Sequence, residues 1–375
     1  MHVSGKKLNL IATCTPGLEE LTVKELEEKF GLKRIEVLHK GCVEFLGNIE
    51  DVFKLNYFGK TIHRVVVLLA KQKGVENLES IYKICKSVDY SAYISKEQSF
   101  AVKTKRFGEH DFTSMDISAK IGQAVIDSYM QQEGERLKVN LKSPDVRILA
   151  ELYNDSFWFG LDTTGVSLHK RWYKEGQYIT SLRATIAHAM VLLCGLEKST
   201  LLSDPMCGTG TIGIEAYHFL SGMPNINREF AFEKFKWIDL QGFFEMREEF
   251  KPDHFQSKII ASDKNKNALK IARENAERGN AKINFCVYDA RDFLVNADVI
   301  CTDLPYGIRH KHVDIKSLYK KFFKRVEKTS AKKLVVLTAD RCLRHIPYLR
   351  NYELKKSIRF IYGDLNARMI LFERK

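Results

Sequence analysis

A predicted strand that runs straight into a glycine-rich loop constrains the fold of this chain more than any other feature. The apolar pair Leu201-Leu202 is followed by SDPMCGTG at 203–210, and the pattern predicts a helix over 212–220. A strand, a glycine loop and a helix in this order form a ligand crevice at the carboxyl edge of a parallel sheet. Further strands and helices alternate after it. Residues 181–375 are therefore predicted to form a doubly wound α/β domain that ends in a β-hairpin.

The glycine loop has two possible ligands. Gly208, Gly210 and Gly213 satisfy the G-x-G-x-x-G pattern of dinucleotide-binding loops. That fold needs an acid about 20 residues further on for the ribose, whereas the next strand-end acid, Asp263, follows a long insertion at 221–257. Asp204 also precedes the glycines, where a negative pyrophosphate would pass. The loop therefore favours a cationic ligand without phosphate.

S-adenosylmethionine meets that requirement, because it carries a sulfonium and an ammonium group. We predict that Asp204 attracts its methionine end and that glycines let the backbone approach it closely. Asp263 is expected to accept the ribose hydroxyls, and Asp289 with the Ala290 N–H is expected to bind adenine. Each acid alone could cap a helix, but three acids at three successive strand ends indicate one site. The predicted cofactor residues are Asp204, Cys207, Gly208, Thr209, Gly210, Asp263, Asp289, Ala290, Thr180, Ser181 and Leu182.

The predicted reactive group is the tetrapeptide Asp303-Leu304-Pro305-Tyr306, which follows the fourth strand of the same domain. An amine attached to a base is a poor nucleophile, since its lone pair is delocalised into the ring. A carboxylate and a backbone carbonyl that accept its two hydrogens can aim that lone pair at a methyl group. Pro305 biases Leu304 toward an extended backbone, and Tyr306 offers a face on which an extruded base can stack. An ordinary proline turn beside a core tyrosine is the structural alternative.

The first half of the chain predicts two smaller units. Residues 1–62, completed by the β-branched run at 62–70, follow the β-α-β-β-α-β order of a ferredoxin-like domain. Residues 63–165 predict helices first and strands last, and 166–180 form a polar, basic linker. A chain of 375 residues is too long for one core, so several domains are expected.

The net charge of +13, from 60 Lys and Arg against 47 Asp and Glu, indicates a polyanionic partner such as nucleic acid. The residues predicted to contact RNA are Lys103, Lys105, Arg106, Arg171 and Arg309. A solvated charged face is the alternative for any one of them. His310 and His312 lack further ligands nearby, so no metal is expected.

The cellular setting is predicted from what the sequence lacks. The eight cysteines form no CxxC pair, which favours reduced thiols over disulfides or zinc. No apolar run approaches the ~20 residues of a membrane helix, and the opening MHVSGKKLNL lacks the apolar core of a signal peptide. We expect a cytoplasmic monomer that needs no membrane.

These motifs together resemble a known enzyme family. The tetrapeptide is similar to the (N/D)-P-P-(Y/F/W) motif of amino-methyltransferases, with Leu304 in place of the first proline. The run SFAVKTKRFG at 99–108, with Ile121-Gly122 after it, resembles a THUMP domain, and LHKRWY at 168–173 resembles the segment that joins THUMP to a Rossmann-fold methyltransferase. The whole order is similar to the THUMP-containing tRNA guanine-N2 methyltransferases.

The resemblance implies a specific activity. Such enzymes hold tRNA with their N-terminal and THUMP modules and form N2-methylguanosine at position 6 of the acceptor stem. Three alternatives remain open: a guanine at another tRNA position, a guanine in ribosomal RNA, and an RNA-binding protein without catalysis. Methylation of adenine N6 in DNA is less favoured, because a THUMP-like module suits RNA.

Overall fold

The computed structural model of the protein describes residues 6–174, 181–293, 296–307 and 314–375. The helices are α1 (Glu19–Glu28), α2 (Ile49–Phe58), α3 (Leu78–Lys86), α4 (Ser114–Glu133), α5 (Ala184–Cys194), α6 (Thr211–Ser221), α7 (Gln241–Glu249), α8 (Lys266–Arg278) and α9 (Ile315–Val326). In these ranges, no helix is long and apolar enough to cross a membrane.

The strands alternate with these helices. They are β1 (Leu8–Thr13), β2 (Glu36–His39), β3 (Cys42–Gly47), β4 (Arg64–Gln72), β5 (Ser99–Phe107), β6 (Lys138–Val139), β7 (Val146–Tyr153), β8 (Ser156–Asp162), β9 (Leu202–Asp204), β10 (Ile259–Asp263), β11 (Asn284–Val287), β12 (Val299–Asp303), β13 (Lys333–Ala339), β14 (Tyr352–Tyr362) and β15 (Leu365–Arg374). The order is that of a mixed α/β protein, as predicted.

The two N-terminal units share one eight-stranded sheet in the order β2-β3-β1-β4-β8-β7-β5-β6. The strand β4 pairs with β1 on one side and with β8 on the other, where Val66 faces Asp162. Apolar residues alternate along these strands, so that one face packs against the helices α1 to α4. The ferredoxin-like unit and the THUMP unit are therefore hydrogen bonded to each other through their backbones.

Side-chain caps fix where the helices of this half begin. Asn48 and Asp51 form a capping box at the start of α2, and Thr113 and Asp116 form another at the start of α4. Gly134 ends α4 in a left-handed conformation. Local sequence alone thus determines several of the helix boundaries.

The C-terminal half contains the predicted doubly wound sheet, in the order β11-β10-β9-β12-β13-β15-β14. The strands β9 to β13 are parallel, and the β14-β15 hairpin adds two antiparallel strands at one side. The sheet order changes direction at β9 and β12, so their carboxyl ends flank the point where a ligand crevice opens. Both the glycine loop and the reactive tetrapeptide begin at that point.

The insertion between α6 and β10 packs against the N-terminal half. The rings of Phe232 and Phe243 lie against Phe53 of α2, with ring centroids 5.1 and 5.5 Å away. The Phe232 N–H donates to the carbonyl of Thr163 (3.0 Å). The Asn225 side chain donates to the carbonyls of Asn56, in the last turn of α2, and Gly59, directly after it. The two halves are therefore joined by an apolar cluster as well as by the linker.

The prediction that Arg171 contacts RNA was wrong. Its side chain is fully buried and paired with Glu215 of α6 through Nε (2.9 Å), while a terminal nitrogen donates to the carbonyl of Lys60 (2.8 Å). Tyr173 and His188 hydrogen bond to the same carboxylate. Because a buried guanidinium needs these partners, Arg171 joins the two halves of the protein from within and has no exposed surface to offer to RNA.

Candidate active site

The glycine loop connects the end of β9 to the start of α6. The Cys207 N–H donates to the carbonyl of Ser262 (2.9 Å), and the Gly208 N–H donates to Asp263 Oδ2 (3.0 Å), so the loop is held against the end of β10. Gly210 has φ +81° and begins α6, and a Cβ on it would lie 3.1 Å from the Cβ of Ala272. Only glycine satisfies both conditions without strain.

Asp204 is the most unusual acid of the site. Its side chain is fully buried, and Oδ1 accepts from the Thr302 hydroxyl (2.7 Å) and the Met206 N–H (3.3 Å). Within the described ranges, Oδ2 has no hydrogen-bond partner. Burial raises the pKa of Asp204 to about 8, and the nearby charges of Asp263 and Asp303 act in the same direction. A cation beside Oδ2 would relieve both effects.

The other predicted cofactor residues surround the same loop. Asp263 accepts the Gly208 N–H and, at 2.8 Å, the Asn265 N–H. Asp289 forms an ion pair with Arg291, whose hydrogen bond lowers the pKa of Asp289 to about 2. Ala290 is buried beside it. Asp289 is therefore ionised at neutral pH, and its carboxylate is already shared with an arginine.

Ser181 and Leu182 precede α5, and Ser181 contacts the glycine loop. The hydroxyls of Ser181 and Thr209 are hydrogen bonded at 2.8 Å, and the buried Leu182 accepts a hydrogen bond from Lys174 at its carbonyl. The Cys207 thiol is buried, which raises its pKa well above the usual value. Cys207 is therefore protonated and contributes packing and backbone contacts. Thr180 lies outside the described residues.

The reactive tetrapeptide lies at the end of β12. Partial burial raises the pKa of Asp303 to about 7, although a hydrogen bond from the Tyr306 hydroxyl to Asp303 Oδ1 (2.5 Å) opposes that rise. Leu304 is buried, and its N–H donates to the carbonyl of Leu337 (2.9 Å). Tyr306 packs at the border of two apolar clusters and remains partly exposed. The carboxylate is thus held in place by a tyrosine three residues later.

Three residues that hold this loop were missed by the sequence reasoning. The Tyr319 hydroxyl lies 3.2 Å from the carbonyl of Pro305 and 2.8 Å from the hydroxyl of Thr338. The Arg341 guanidinium donates to the carbonyl of Tyr306 at 2.7 Å. Each lies on a different element from the loop, and no local pattern marks it. Their positions follow only from the tertiary structure.

The predicted RNA residues on β5 differ from one another. Lys103 and Lys105 are exposed, and Lys105 pairs loosely with Glu151 at 3.7 Å. The Arg106 guanidinium bonds the carbonyl of Gly108 and the ring of His110 instead. Arg309, His310 and His312 lie outside the described residues. In the described part of the chain, no group of three His, Cys, Asp or Glu side chains could hold a metal.

Three family models match consecutive parts of the chain. They are the RlmL ferredoxin-like domain over 9–66, the THUMP domain over 75–162, and the RMKL-like methyltransferase domain over 171–367. The last match covers more than half of the protein and includes the glycine loop and the tetrapeptide. The chain belongs to the THUMP-containing RMKL-like methyltransferases. The predicted family and fold class are therefore confirmed.

Two archaeal relatives share almost the full length of this RMKL-like methyltransferase. A "tRNA (guanine(6)-N2)-methyltransferase" of Archaeoglobus fulgidus is 39% identical over 90% of this chain and 86% of its own length. One with the same name from Methanocaldococcus jannaschii is 35% identical over 96% and 99%. A "Ribosomal RNA large subunit methyltransferase K/L" of Psychromonas ingrahamii is 28% identical over 78% of this chain, which spans 40% of that protein.

A solved structure has the same architecture as this methyltransferase. SMU.472, described as "a putative methyltransferase complexed with SAH", is 25% identical and superposes with a TM-score of 0.84, covering 99% of both chains. SAH, S-adenosylhomocysteine, is the product that S-adenosylmethionine becomes after losing its methyl group.

Proposed function

We propose that this methyltransferase transfers a methyl group from S-adenosylmethionine to the N2 amine of a guanine in tRNA, at position 6 of the acceptor stem, in the cytoplasm. The observation that carries the chemistry is the placement of Asp303 and Asp204 at the ends of neighbouring strands around one crevice. The position and the RNA are supported by the two archaeal relatives that bear this name.

The residues around the glycine loop fit the proposed cofactor. When bound, S-adenosylmethionine supplies an electrophilic methyl carbon on a positively charged sulfur. Asp204 Oδ2, buried and without a partner among the described residues, would face the cationic methionine end. Asp263 would accept from the ribose hydroxyls, and Asp289 with Ala290 would lie nearest the adenine. Gly208, for which a Cβ would meet nothing within 4 Å, leaves space over the loop.

Asp303 orients the amine. Its carboxylate would accept one N–H of the guanine N2 amine, and the carbonyl of Leu304 would accept the other, which directs the nitrogen lone pair toward the methyl carbon. As the new C–N bond forms, the nitrogen loses a proton. With a pKa of about 7, Asp303 can hold that proton before it passes to water.

The hydrogen bonds around the tetrapeptide keep this arrangement in place before the base arrives. Tyr319 holds the carbonyl of Pro305, Arg341 holds that of Tyr306, and Tyr306 holds Asp303. Preorganised groups of this kind lower the barrier because they need little rearrangement during the reaction. Tyr306 would provide the stacking face for the extruded base, and its hydroxyl would remain on Asp303.

A guanine in ribosomal RNA is the second candidate substrate, favoured by the more distant relative named for large-subunit rRNA. The two candidates differ in the RNA that must be held by the N-terminal half, in which Lys103 and Lys105 are exposed. A purely RNA-binding role would give no purpose to the Asp204 carboxylate oxygen, which has no hydrogen-bond partner in the described part of the chain.

The test is an in vitro methylation assay. Unmodified tRNA and rRNA are incubated with labelled S-adenosylmethionine, digested, and analysed for the labelled nucleoside. We expect N2-methylguanosine in tRNA, and a tRNA transcript with adenine at position 6 should receive no label. Label only in rRNA would support the second candidate, and label only in adenosine would exclude both.

A further inference from the structure

A group of arginines lies beside the reactive loop. The chain turns after β13 through residues 340–345 and carries Arg341 and Arg344, both exposed. Arg341 reaches the tetrapeptide itself, since one terminal nitrogen donates to the carbonyl of Tyr306 at 2.7 Å. A guanidinium has five N–H donors, so most of those on Arg341 remain available on the solvent side of the loop.

Two more arginines come from the hairpin. Arg359 of β14 and Arg368 of β15 face each other in the antiparallel register. Each donates through Nε to a different oxygen of Asp340, at 2.9 Å in both cases. The Arg359 side chain is 62% exposed, while that of Asp340 is 22% exposed. The carboxylate is therefore less exposed than the Arg359 side chain and bridges the two arginines.

The charge balance of this surface is strongly positive. We call Arg341, Arg344, Arg359 and Arg368 the arginine rim. These four arginines, taken with the Asp340 carboxylate that pairs with two of them, carry a formal charge of +3. The Asp340 carboxylate neutralises only one of the four guanidinium charges, so the excess positive charge points to an anion from outside. Planar guanidinium groups match phosphate oxygens in geometry as well as charge.

We propose that the arginine rim binds the phosphodiester groups on either side of the nucleotide whose base enters the crevice. This proposal rests on an RNA substrate, as given under the proposed function, and adds the surface that holds its backbone. A base that leaves its stack turns about its own phosphates, so cations next to the catalytic loop are well placed to hold the turned backbone. The rim therefore contributes to RNA affinity, and Arg341 also positions the loop.

The test measures the Kd of an unmodified tRNA transcript for the full-length protein at several KCl concentrations. In the variant R359Q/R368Q we expect Kd to rise about tenfold, and the slope of log Kd against log salt to fall by roughly 1 to 2. Neither arginine touches the tetrapeptide, so kcat at saturating tRNA and the Kd for S-adenosylmethionine should stay within about twofold. The matched control is Lys321→Gln, an exposed cation on α9 outside the rim, which should leave the tRNA Kd and its salt slope unchanged.

Asp340→Asn distinguishes anion binding from a structural role. The amide has nearly the shape of the carboxylate but no charge, and it can accept from only one of the two Nε–H groups, so the rim becomes more positive and one guanidinium is released. We expect the tRNA Kd to fall roughly twofold to fivefold and its salt slope to become steeper. If the ion pairs of Asp340 served only the fold, the variant would instead show weaker tRNA binding together with a lower Tm. That result, or an unchanged Kd in R359Q/R368Q, would overturn the proposal.

The outcome for the rim can be separated from that for the methylation target. A Kd that responds to these variants, while the wild-type protein forms no N2-methylguanosine, supports the rim and contradicts the proposed target. Formation of N2-methylguanosine with the same KM in all variants overturns the rim alone. Failure of the wild-type protein to bind tRNA would overturn both.

Discussion

At the scale of single residues, the ionisation of Asp303 should determine how kcat/KM depends on pH. Its carboxylate must be ionised to accept the hydrogens of the amine, and its pKa of about 7 lies above the usual value because of burial. As pH falls below 7 we expect kcat/KM to drop about tenfold per unit, with a plateau above pH 7.5. Asp303→Ala should abolish transfer and leave the calorimetric Kd for S-adenosylmethionine within about threefold. A flat profile from pH 5.5 to 8, or loss of cofactor binding in the variant, would contradict the assigned role.

Removing the charge of Asp204 should affect thermal stability and affinity for S-adenosylmethionine in opposite directions. Its folded-state pKa of about 8 exceeds that of the unfolded chain, so the contribution of this group to stability falls as pH rises from ~4 to 8. Asp204→Asn keeps the oxygen that accepts from Thr302 and removes the buried charge. At pH 8.5 the free variant should have a Tm equal to or higher than that of the wild type, with little difference at pH 5. Its affinity for S-adenosylmethionine should fall by about tenfold or more.

A lower Tm at pH 8.5 with unchanged cofactor affinity would show that Asp204 serves only the fold. The relevant measurements are thermal unfolding at both pH values and calorimetry with S-adenosylmethionine, with wild-type protein alongside.

The residues predicted from sequence fall into two groups. Asp204, Asp263 and Asp303 could be placed because the carboxyl ends of parallel strands meet at one edge. Arg171 was misassigned because its partner, Glu215, is 44 residues away and both side chains had to be buried together. Tyr319 was missed for the same reason, since it contacts the carbonyl of Pro305 from α9, a separate element 14 residues further on. Local sequence patterns thus predict the residues whose position is set by their own strand or loop, and they do not predict residues whose position is set by a distant partner.

At the scale of elements, the two glycines that precede α6 can be compared directly, because both have a positive φ and only one is crowded. Gly210 has φ +81° and a Cβ there would lie 3.1 Å from Ala272, whereas Gly208 has φ +52° and open space around it. We expect Gly210→Ala to lower the free energy of unfolding by about 2–3 kcal/mol and Gly208→Ala by about 1 kcal/mol. Chemical denaturation measures both. Equal losses would show that crowding against α8 adds nothing to the backbone strain.

The elements of the C-terminal half could be predicted well because each is marked by local signals. The strand at β10, an apolar run that ends in Asp263, was placed correctly, as was the hairpin at the end of the chain. The sequence predicts a hairpin with arms over 357–362 and 368–372, and the arms are longer in the structure, at Tyr352–Tyr362 and Leu365–Arg374. The added residues mix apolar side chains, such as the buried Tyr352 and Ala367, with charged ones, so their strand conformation follows from pairing with the neighbouring strand.

At the scale of the whole molecule, the insertion after α6 packs against the N-terminal half, so we expect the two halves to unfold as one cooperative unit. Phe232 is fully buried between this insertion and α2 of the N-terminal half. Phe232→Ala should cost about 3–5 kcal/mol of unfolding free energy, and the protein should still unfold in a single transition. Phe244→Ala is the matched control, because that ring is 45% exposed in the same insertion and should cost less than about 1 kcal/mol. Two separate transitions in the wild-type protein would contradict this coupling.

The joining of the two halves could not be read from the sequence. The predicted boundary at 62/63 falls just before β4, a strand that pairs with both neighbouring units. The insertion at 221–257 is rich in aromatics, but Phe53, against which its rings pack, lies more than 150 residues earlier in the chain. Contacts at such separation leave no periodic signal, so the order of the domains could be predicted and their packing could not.

The central claim is that this crevice methylates the N2 amine of a guanine in tRNA. The most direct measurement is mass-spectrometric identification of the nucleoside formed, and of its position, after unmodified tRNA is treated with the protein and S-adenosylmethionine. We expect N2-methylguanosine at position 6, absent with Asp303→Ala and absent from a transcript that carries adenine there. Methylation of another base or of a ring nitrogen, or methylation that survives in Asp303→Ala, would contradict it.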